Sequence, residues 1–193
     1  MASPLVPTVR RRHGRREYAL EFGDIWNYFA APVGIDRHPV DVNDDNEARW
    51  LLASVLPDTG RLHRAWLAIE EARHTRPELI LGDAVDAVSE VVLGLPADVV
   101  PVVVTTWALA YLSDRRRTEF REALAAASRT RPIAWVSAEG LGVVDCFADI
   151  AVPSNAHGTD ASILGLVVFR DGVAAPEHLG FVHPHGSWID WRA

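Results

Sequence analysis

Two carboxylates that each end an apolar segment are the first candidates for chemistry in this sequence. Asp36 closes the segment 33–35, and Asp83 closes the segment 79–82. If both segments are parallel strands of one sheet, the two acids lie at the edge where open α/β sheets bind their ligands. Carboxylates at that edge accept hydrogen bonds from ribose hydroxyls or from an adenine amine. The pair therefore indicates a nucleoside-type site, and the alternative is that each acid only caps the next helix.

Two further groups have side chains suited to proton transfer. Glu139 follows an apolar segment and is the best-placed candidate general base, although an ordinary loop acid looks the same in a sequence. His183 and His185 have the i, i+2 spacing that directs both imidazoles of a strand to one face, as a metal site needs. Pro184 interrupts the strand, and no second cluster of ligands is evident. We therefore expect no metal at this segment. The interpretations that remain are a structural turn and a polar loop that faces substrate.

The composition excludes several reaction classes. All 19 basic residues are Arg, so the chain has no lysine for a P-loop or for a Schiff base. Cys146 is the only cysteine, which excludes an internal disulfide and a zinc site built from cysteines. The sequence has no Gly-x-Ser-x-Gly or His-Glu-x-x-His motif, so serine-hydrolase and zincin chemistry lack support.

The charge distribution and the hydropathy restrict the partners. The net charge is −7, and five arginines lie within residues 1–16, where there is no acid. The rest of the chain is therefore acidic, which argues against a nucleic-acid partner. The most apolar stretch, 99–112, contains Pro101 and is too short to cross a bilayer about 30 Å thick. We expect a cytoplasmic protein with no membrane partner, whose arginine-rich segment 1–32 is partly disordered.

The candidate residues depend on strands and helices that alternate up to residue 140. The sequence predicts strands that are apolar throughout, separated by amphipathic helices, which is typical of a mostly parallel sheet covered on both faces. The predicted strands are 33–36, 78–83, 99–104 and 133–137, and helices follow Asp44, precede Pro77, begin at Ala84 and follow Ser113. After Gly140 the pattern predicts strands only, with a hairpin of 163–169 and 179–183 and a turn at Asp171-Gly172. The fold class is therefore α/β.

Six short motifs occur in a fixed order along the chain. They are Val33–Val42, Ala48–Leu51, Gly82–Ala84, Trp107–Leu112, Trp135–Gly140 and His183–Trp188. In this order they resemble a family of uncharacterised bacterial proteins catalogued as domain of unknown function 2332. The likeness extends over roughly residues 33–191, and the combination is far more specific than any one motif.

The resemblance implies an S-adenosylmethionine-dependent methyltransferase-like fold over residues 33–193. This fold is a Rossmann-like three-layer sandwich whose mostly parallel sheet ends in an antiparallel hairpin. On this likeness Asp36 contacts the ribose of the cofactor, and Gly82 and Asp83 contact its adenine. Trp107 lies where substrate usually meets the methyl donor, and Glu139 or His185 is the proton acceptor. Fold likeness by itself does not establish an activity.

The chain also departs from the family pattern. Family members have a first strand and a Gly-rich loop before the Gly-Ile-Asp motif, and here only about 32 residues precede it. We therefore expect a truncated domain that lacks this strand and this loop, which grip the cofactor. Two interpretations follow. One is a methyltransferase-like enzyme, helped by a partner chain that supplies the missing strand; the other is a non-catalytic remnant or a protein-interaction domain.

Overall fold

Strands and helices alternate up to residue 139, as predicted, and the described residues after that point contain strands but no α-helix. The computed structural model describes residues 9–11, 32–55, 59–75, 78–151, 161–186 and 188–192. The prediction of a partly disordered segment 1–32 thus lies almost wholly outside the described residues.

The described elements divide between two compact units, of which the first holds residues 32–84 and the second holds residues 9–11 and 85–192. In chain order the strands are β1 (Val9–Arg11), β2 (Val33–Asp36), β3 (Glu78–Leu81), β4 (Val102–Thr106), β5 (Ile133–Glu139), β6 (Ser162–Arg170), β7 (Val173–Val182) and β8 (Ile189–Trp191). The helices are α1 (Asp45–Ala53), α2 (Thr59–Thr75), α3 (Ala84–Gly94) and α4 (Asp114–Ala127). The family motifs therefore contribute to both units.

The first unit contains a parallel strand pair and two helices that are joined by side-chain contacts. β2 and β3 pair in parallel, with Asp36 opposite Leu81. Asp44 begins α1 as predicted, because its side chain accepts hydrogen bonds from the N–H groups of residues 46 and 47. Arg73 of α2 donates to the carbonyl of Val42 and pairs with Asp45, which ties α2 to the start of α1.

Much apolar surface of the first unit is exposed. Ile69 of α2 is buried, but Leu62 and Trp66 on the same predicted stripe are 41% and 49% exposed. Leu81 of β3 is 72% exposed, so the prediction that this strand is buried is wrong. The physical reason is size, because two strands of four residues offer too little sheet to bury both faces.

The second unit contains a six-stranded sheet in the order β1-β8-β7-β6-β5-β4. The pairs β4–β5 and β1–β8 are parallel, whereas β5–β6, β6–β7 and β7–β8 are antiparallel. This sheet is mixed and mostly antiparallel, so the prediction of a mostly parallel sheet is wrong for it. A parallel neighbour needs a long crossover, and among the described residues only α4, between β4 and β5, is an α-helical crossover within this sheet. The fold class, a mixture of helices and sheets, is confirmed.

The predicted hairpin is confirmed together with its turn. β6 and β7 are joined by Asp171 and Gly172, whose φ angles of 53° and 82° are the pair of positive values that a two-residue hairpin turn of type I′ requires. The turn is fixed to the end of α4, since the N–H of Gly172 donates to the hydroxyl of Ser128 at 3.0 Å. The hairpin therefore aligns with the helix that covers the sheet.

The core of the second unit lies between α4 and one face of β5. Phe120 of α4 meets the indole of Trp135 edge to face, with ring centroids 5.7 Å apart. Trp135, Ser137 and Glu139 alternate along β5, and all three are buried on this face. A strand that points a serine and a carboxylate toward its core is unusual, because buried polar groups need partners.

Candidate functional site

The carboxyl ends of β2 and β3 lie side by side. The N–H of Gly82 donates to the carbonyl oxygen of Asp36 at 2.8 Å, which joins the two segments just beyond the strands. Asp36 is exposed, and its Oδ1 accepts a hydrogen bond from the N–H of His38, which makes a local turn. Asp83 follows Gly82 directly and is half-buried. The first unit thus brings together the ends that carry Asp36, Gly82 and Asp83, and their role in binding a nucleoside stays a prediction.

Glu139 is buried at the carboxyl end of β5 in the second unit, with 1% of its surface exposed. Its Oε1 accepts two hydrogen bonds, from the N–H groups of Ala108 and Leu109, each 3.1 Å long. These amides belong to the turn that follows β4. The carboxylate therefore holds this turn against the end of β5, and the structural role of Glu139 is to position the turn.

Trp107 lies across the ends of the central strands. Its φ of 53° is in the left-handed region, and its N–H donates to the carbonyl of Ala138 at 3.2 Å. Its indole Nε1 donates to the hydroxyl of Ser162 at 2.8 Å, and its ring passes over Gly140. Trp107, which the resemblance assigns to the place where substrate meets the cofactor, therefore already uses both its backbone N–H and its indole N–H in hydrogen bonds.

Two buried polar atoms near this turn have no hydrogen-bond partner among the described residues. They are Oε2 of Glu139 and Oγ of Ser137, which project from the same face of β5. Leaving a buried polar group unsatisfied costs about 1–3 kcal/mol. As a general base, Glu139 has Oε2 available, but a substrate can use it only if it reaches this buried atom.

His185 belongs to a turn that follows β7. Its N–H donates to Nδ1 of His183 at 3.0 Å, and the two rings lie 5.6 Å apart. Val182, the last residue of β7, is opposite Ser162, so the histidine turn lies at the same end of the sheet as Trp107. Residues 183–186 thus form a turn, closed by a hydrogen bond from the N–H of Gly186 to the carbonyl of His183, and His185 as a proton acceptor stays a prediction. The described residues contain no group of three or more side chains able to hold a metal ion.

A small cleft that the sequence did not predict opens beside this end of the sheet, between α4 and the segment 142–145. It has a volume of about 190 Å³ and is lined by Leu109, Asp114, Arg117, Thr118, Arg121, Trp135, Gly142, Val143, Val144 and Asp145. Arg117 is engaged by the carbonyls of residues 109 and 110 and by Asp114, and Arg121 pairs with Asp145. The sequence feature that could have indicated this cleft is the i, i+4 spacing of Arg117 and Arg121, which places both side chains on one face of α4.

Cys146 adjoins the cleft segment and is exposed. Partial desolvation, and after it the charge of Asp145, raises the pKa of the Cys146 thiol. A raised pKa leaves little thiolate at neutral pH. The electrostatics of Cys146 therefore argue against a nucleophilic role, although its side chain is exposed.

β4 forms the outer edge of the six-stranded sheet. The carbonyl of Pro101 accepts from Ala134, and the N–H of Trp107 donates to Ala138. In a parallel ladder the backbone groups of alternate residues face one neighbour, so the N–H and C=O groups of Val102, Val104 and Thr106 point away from β5. Val102 and Val104 are 48% and 62% exposed. Among the described residues, this edge is open and apolar.

None of the helices that the structure describes combines the length and the apolar character needed to cross a membrane. Neither a search of curated proteins nor a search of solved structures found a match for the chain. A family model described as an uncharacterized protein conserved in bacteria (DUF2332) matches residues 5–191. The match includes the arginine-rich segment as well as the six motifs, and the chain thus belongs to the DUF2332 family of uncharacterized bacterial proteins.

Proposed function

We propose that the second unit is a protein-interaction domain that binds an extended strand along the free edge of β4. The observation that carries this proposal is the row of outward-facing peptide groups at Val102, Val104 and Thr106, which belong to an exposed strand without a charged residue. A partner chain of the kind that the family resemblance suggests would add its strand at this edge.

The composition of β4 is the opposite of what protects a sheet edge. Natural proteins cover their edges, or place lysine, proline or a bulge on them, because an open edge pairs with other chains. β4 reads Val-Val-Val-Thr-Thr, and Pro101 lies just before the strand rather than within its open part. All five residues are β-branched, which favours extended pairing. Such an edge supports strand addition, in which backbone hydrogen bonds supply affinity.

The finer fold assignment agrees with this proposal. A strand added parallel to β4 would extend the parallel part of the sheet toward the Rossmann-like, three-layer and methyltransferase-like arrangement. The added strand would gain hydrogen bonds to three residues of β4 and would cover the side chains of Val102 and Val104. Burial of apolar surface contributes about 25 cal/mol per Å².

Fluorescence anisotropy with a labelled probe peptide tests strand addition. The probe is an acetylated seven-residue peptide of alternating threonine and valine, flanked by serines. Val104→Pro removes one outward N–H and leaves the ladder to β5 intact, because proline is tolerated at a sheet edge. We expect it to weaken binding about fivefold or more, while Val104→Thr keeps the N–H and binds like the original chain. Equal binding by both variants, with unchanged circular dichroism, would refute the proposal.

The juxtaposition of Asp36 and Gly82 favours a second candidate, an S-adenosylmethionine-binding domain with methyltransferase-like activity. Asp36 is exposed, and among the described residues only its Oδ1 is engaged, so Oδ2 can accept a ribose hydroxyl. Gly82 and Asp83 would contact the adenine. The family resemblance also assigns Trp107 to the substrate and Glu139 or His185 to proton transfer, and these roles stay predictions. When bound, the cofactor supplies the methyl group.

Calorimetric titration with S-adenosylmethionine tests the second candidate. We expect heat of binding that Asp36→Asn and Asp83→Asn reduce at least tenfold, because each removes a charged acceptor. Asp98→Asn is the matched control, since Asp98 is an exposed acid away from these strand ends in sequence. No heat at millimolar cofactor would refute binding by this chain, whatever the peptide experiment shows.

A further inference from the structure

The free edge of β4 is self-complementary, and we propose that the strand it binds is β4 of a second copy of this chain. The two strands pair antiparallel about a two-fold axis at Val104. This inference rests on the proposed strand-binding function, and it names as partner an antiparallel strand of the same chain in place of the parallel strand that the methyltransferase-like arrangement would need.

The argument starts from the residues whose peptide groups point away from β5, which are Val102, Val104 and Thr106. In an antiparallel pair, directly opposite residues can exchange both of their N–H···O bonds. With Val104 opposite Val104 of the second copy, Val102 falls opposite Thr106. Each copy then donates three N–H groups and accepts three, and every outward group of the edge has a partner.

Both ends of the edge restrict the pairing to this window. Pro101 has no N–H, and its carbonyl already accepts from Ala134 of β5. Trp107 donates its own N–H to Ala138, and its positive φ turns the chain away from the strand direction. The open edge therefore contains three outward residues, and its centre is Val104. A two-fold axis at Val104 pairs all three outward residues of each copy, whereas an axis at Val103 or Thr105 pairs only two of them.

The side chains match as well as the backbone does. Val104 meets its own copy, and Val102 meets Thr106, so every cross-strand pair is β-branched. No charge lies on β4, so the paired strands place no like charges directly opposite each other. The same register places Pro101 of one copy opposite Trp107 of the other, where the paired window ends. A two-fold contact of this kind closes on itself and gives a dimer rather than a fibre.

Analytical ultracentrifugation of the full chain from about 1 to about 300 µM tests the dimer, because self-association follows mass action. We expect the average mass to approach that of a dimer as the concentration rises. Val104→Pro removes a donor from both copies at once, so it weakens the dimer at least about tenfold, whereas Val104→Thr dimerises normally. A chain that stays monomeric throughout, or a Val104→Pro variant that dimerises like the original, overturns the inference.

Oxidative cross-linking checks the register independently. In a Cys146→Ser background, Val104→Cys places two thiols on directly opposite residues, within the Cα separation of 4.4–6.8 Å that a disulfide spans. Val102→Cys is the matched control, because its opposite residue is Thr106 and not Val102. We expect a cross-linked dimer from Val104→Cys and none from Val102→Cys. Equal cross-linking of both overturns the antiparallel register.

The two proposals fail in different ways. A monomeric chain that still binds the threonine-valine peptide, and loses it on Val104→Pro, refutes the dimer and leaves strand addition intact. A chain that neither dimerises nor binds the peptide refutes both. If the dimer forms, the peptide must compete with it, and an excess of peptide that leaves the dimer unchanged contradicts a shared edge.

Discussion

Replacing Glu139 by alanine tests how the carboxyl end of the sheet is held. The carboxylate is buried, and its Oε1 accepts from the N–H groups of Ala108 and Leu109 at 3.1 Å each. Alanine removes the oxygen that accepts both hydrogen bonds and leaves space where the side chain was. Glutamine has nearly the same shape and keeps one oxygen for both amides. The two variants therefore separate the loss of hydrogen bonds from the loss of charge.

The geometry sets the size of the effect. A buried N–H without a partner costs about 1–3 kcal/mol, and Leu109 contributes toward the upper end because its amide is buried. Ala108 is partly exposed and contributes less, and the space left by the side chain adds to the cost. We expect Glu139→Ala to lower the free energy of unfolding by about 3–5 kcal/mol. Glu139→Gln lowers it by about 1 kcal/mol, since neutral hydrogen bonds are weaker than charged ones.

Urea unfolding followed by tryptophan fluorescence measures this order, and Glu177→Gln on the exposed face of β7 is the control for the loss of an acid. Hydrogen exchange at Leu109 adds a local test, because the amide loses its acceptor in the alanine variant alone. If Glu139→Ala unfolds within about 0.5 kcal/mol of the original chain, or if Leu109 stays equally protected, the carboxylate does not hold this turn.

Three further predictions concern packing and ionisation. Gly165→Ala is expected to lower the free energy of unfolding, measured with urea, by about 1–3 kcal/mol, because the added Cβ would lie 2.1 Å from the ring of Phe147. Gly94→Ala is the control, and it is expected to be neutral because its Cβ would meet no atom within 4 Å. Burial lowers the pKa of His178, so as the pH falls the unfolded chain takes up a proton at this histidine before the folded chain does. The free energy of unfolding is therefore expected to keep its full contribution from His178 above about pH 6.5 and to decrease below that pH. A His178→Gln variant whose stability has the same pH dependence as the original chain contradicts this. Desolvation raises the pKa of Cys146, so alkylation by iodoacetamide is expected to be slower at pH 8 than that of a free thiol, and an equal rate contradicts this.

Features that depend on neighbouring residues could be predicted from the sequence. Asp44 and Ser113 cap their helices because the acceptor and the amides it binds lie within three residues of each other. Asp171 and Gly172 predict their own turn, since both tolerate positive φ. Motif order identified the family, because the order of motifs needs no three-dimensional information.

Features that depend on distant partners could not be predicted. Glu139 looked like a loop acid, and its two amides belong to residues about thirty positions upstream, which no local pattern connects to it. The prediction of one mostly parallel sheet was wrong, because β2 and β3 form a sheet of their own and the six-stranded sheet is mostly antiparallel; strand order follows from pairing across the chain and not from periodicity. That β4 is an edge strand is likewise a property of the whole sheet. The strand ends at Asp36 and Gly82 were placed correctly, because parallel strands end at a common edge.

Glu139 also connects the buried turn with the open edge, which gives a last prediction. β4 stops being available for pairing at Trp107, whose positive φ lies just before the two amides that Glu139 holds. If the turn is released, the edge loses its defined end, and ordering it again in a dimer costs conformational entropy of about 1–2 kcal/mol per residue.

We therefore expect Glu139→Ala to weaken the Val104-centred dimer about tenfold or more at 10 °C, although Glu139 lies outside the contact, while Glu139→Gln dimerises normally. Ultracentrifugation, together with hydrogen exchange at Leu109, makes the comparison. A folded alanine variant with an unprotected Leu109 amide and an unchanged dimer constant would show that the edge does not depend on the turn. In that case the hydrogen bonds between β4 and β5 are enough to hold the three outward residues of β4 in place without the turn.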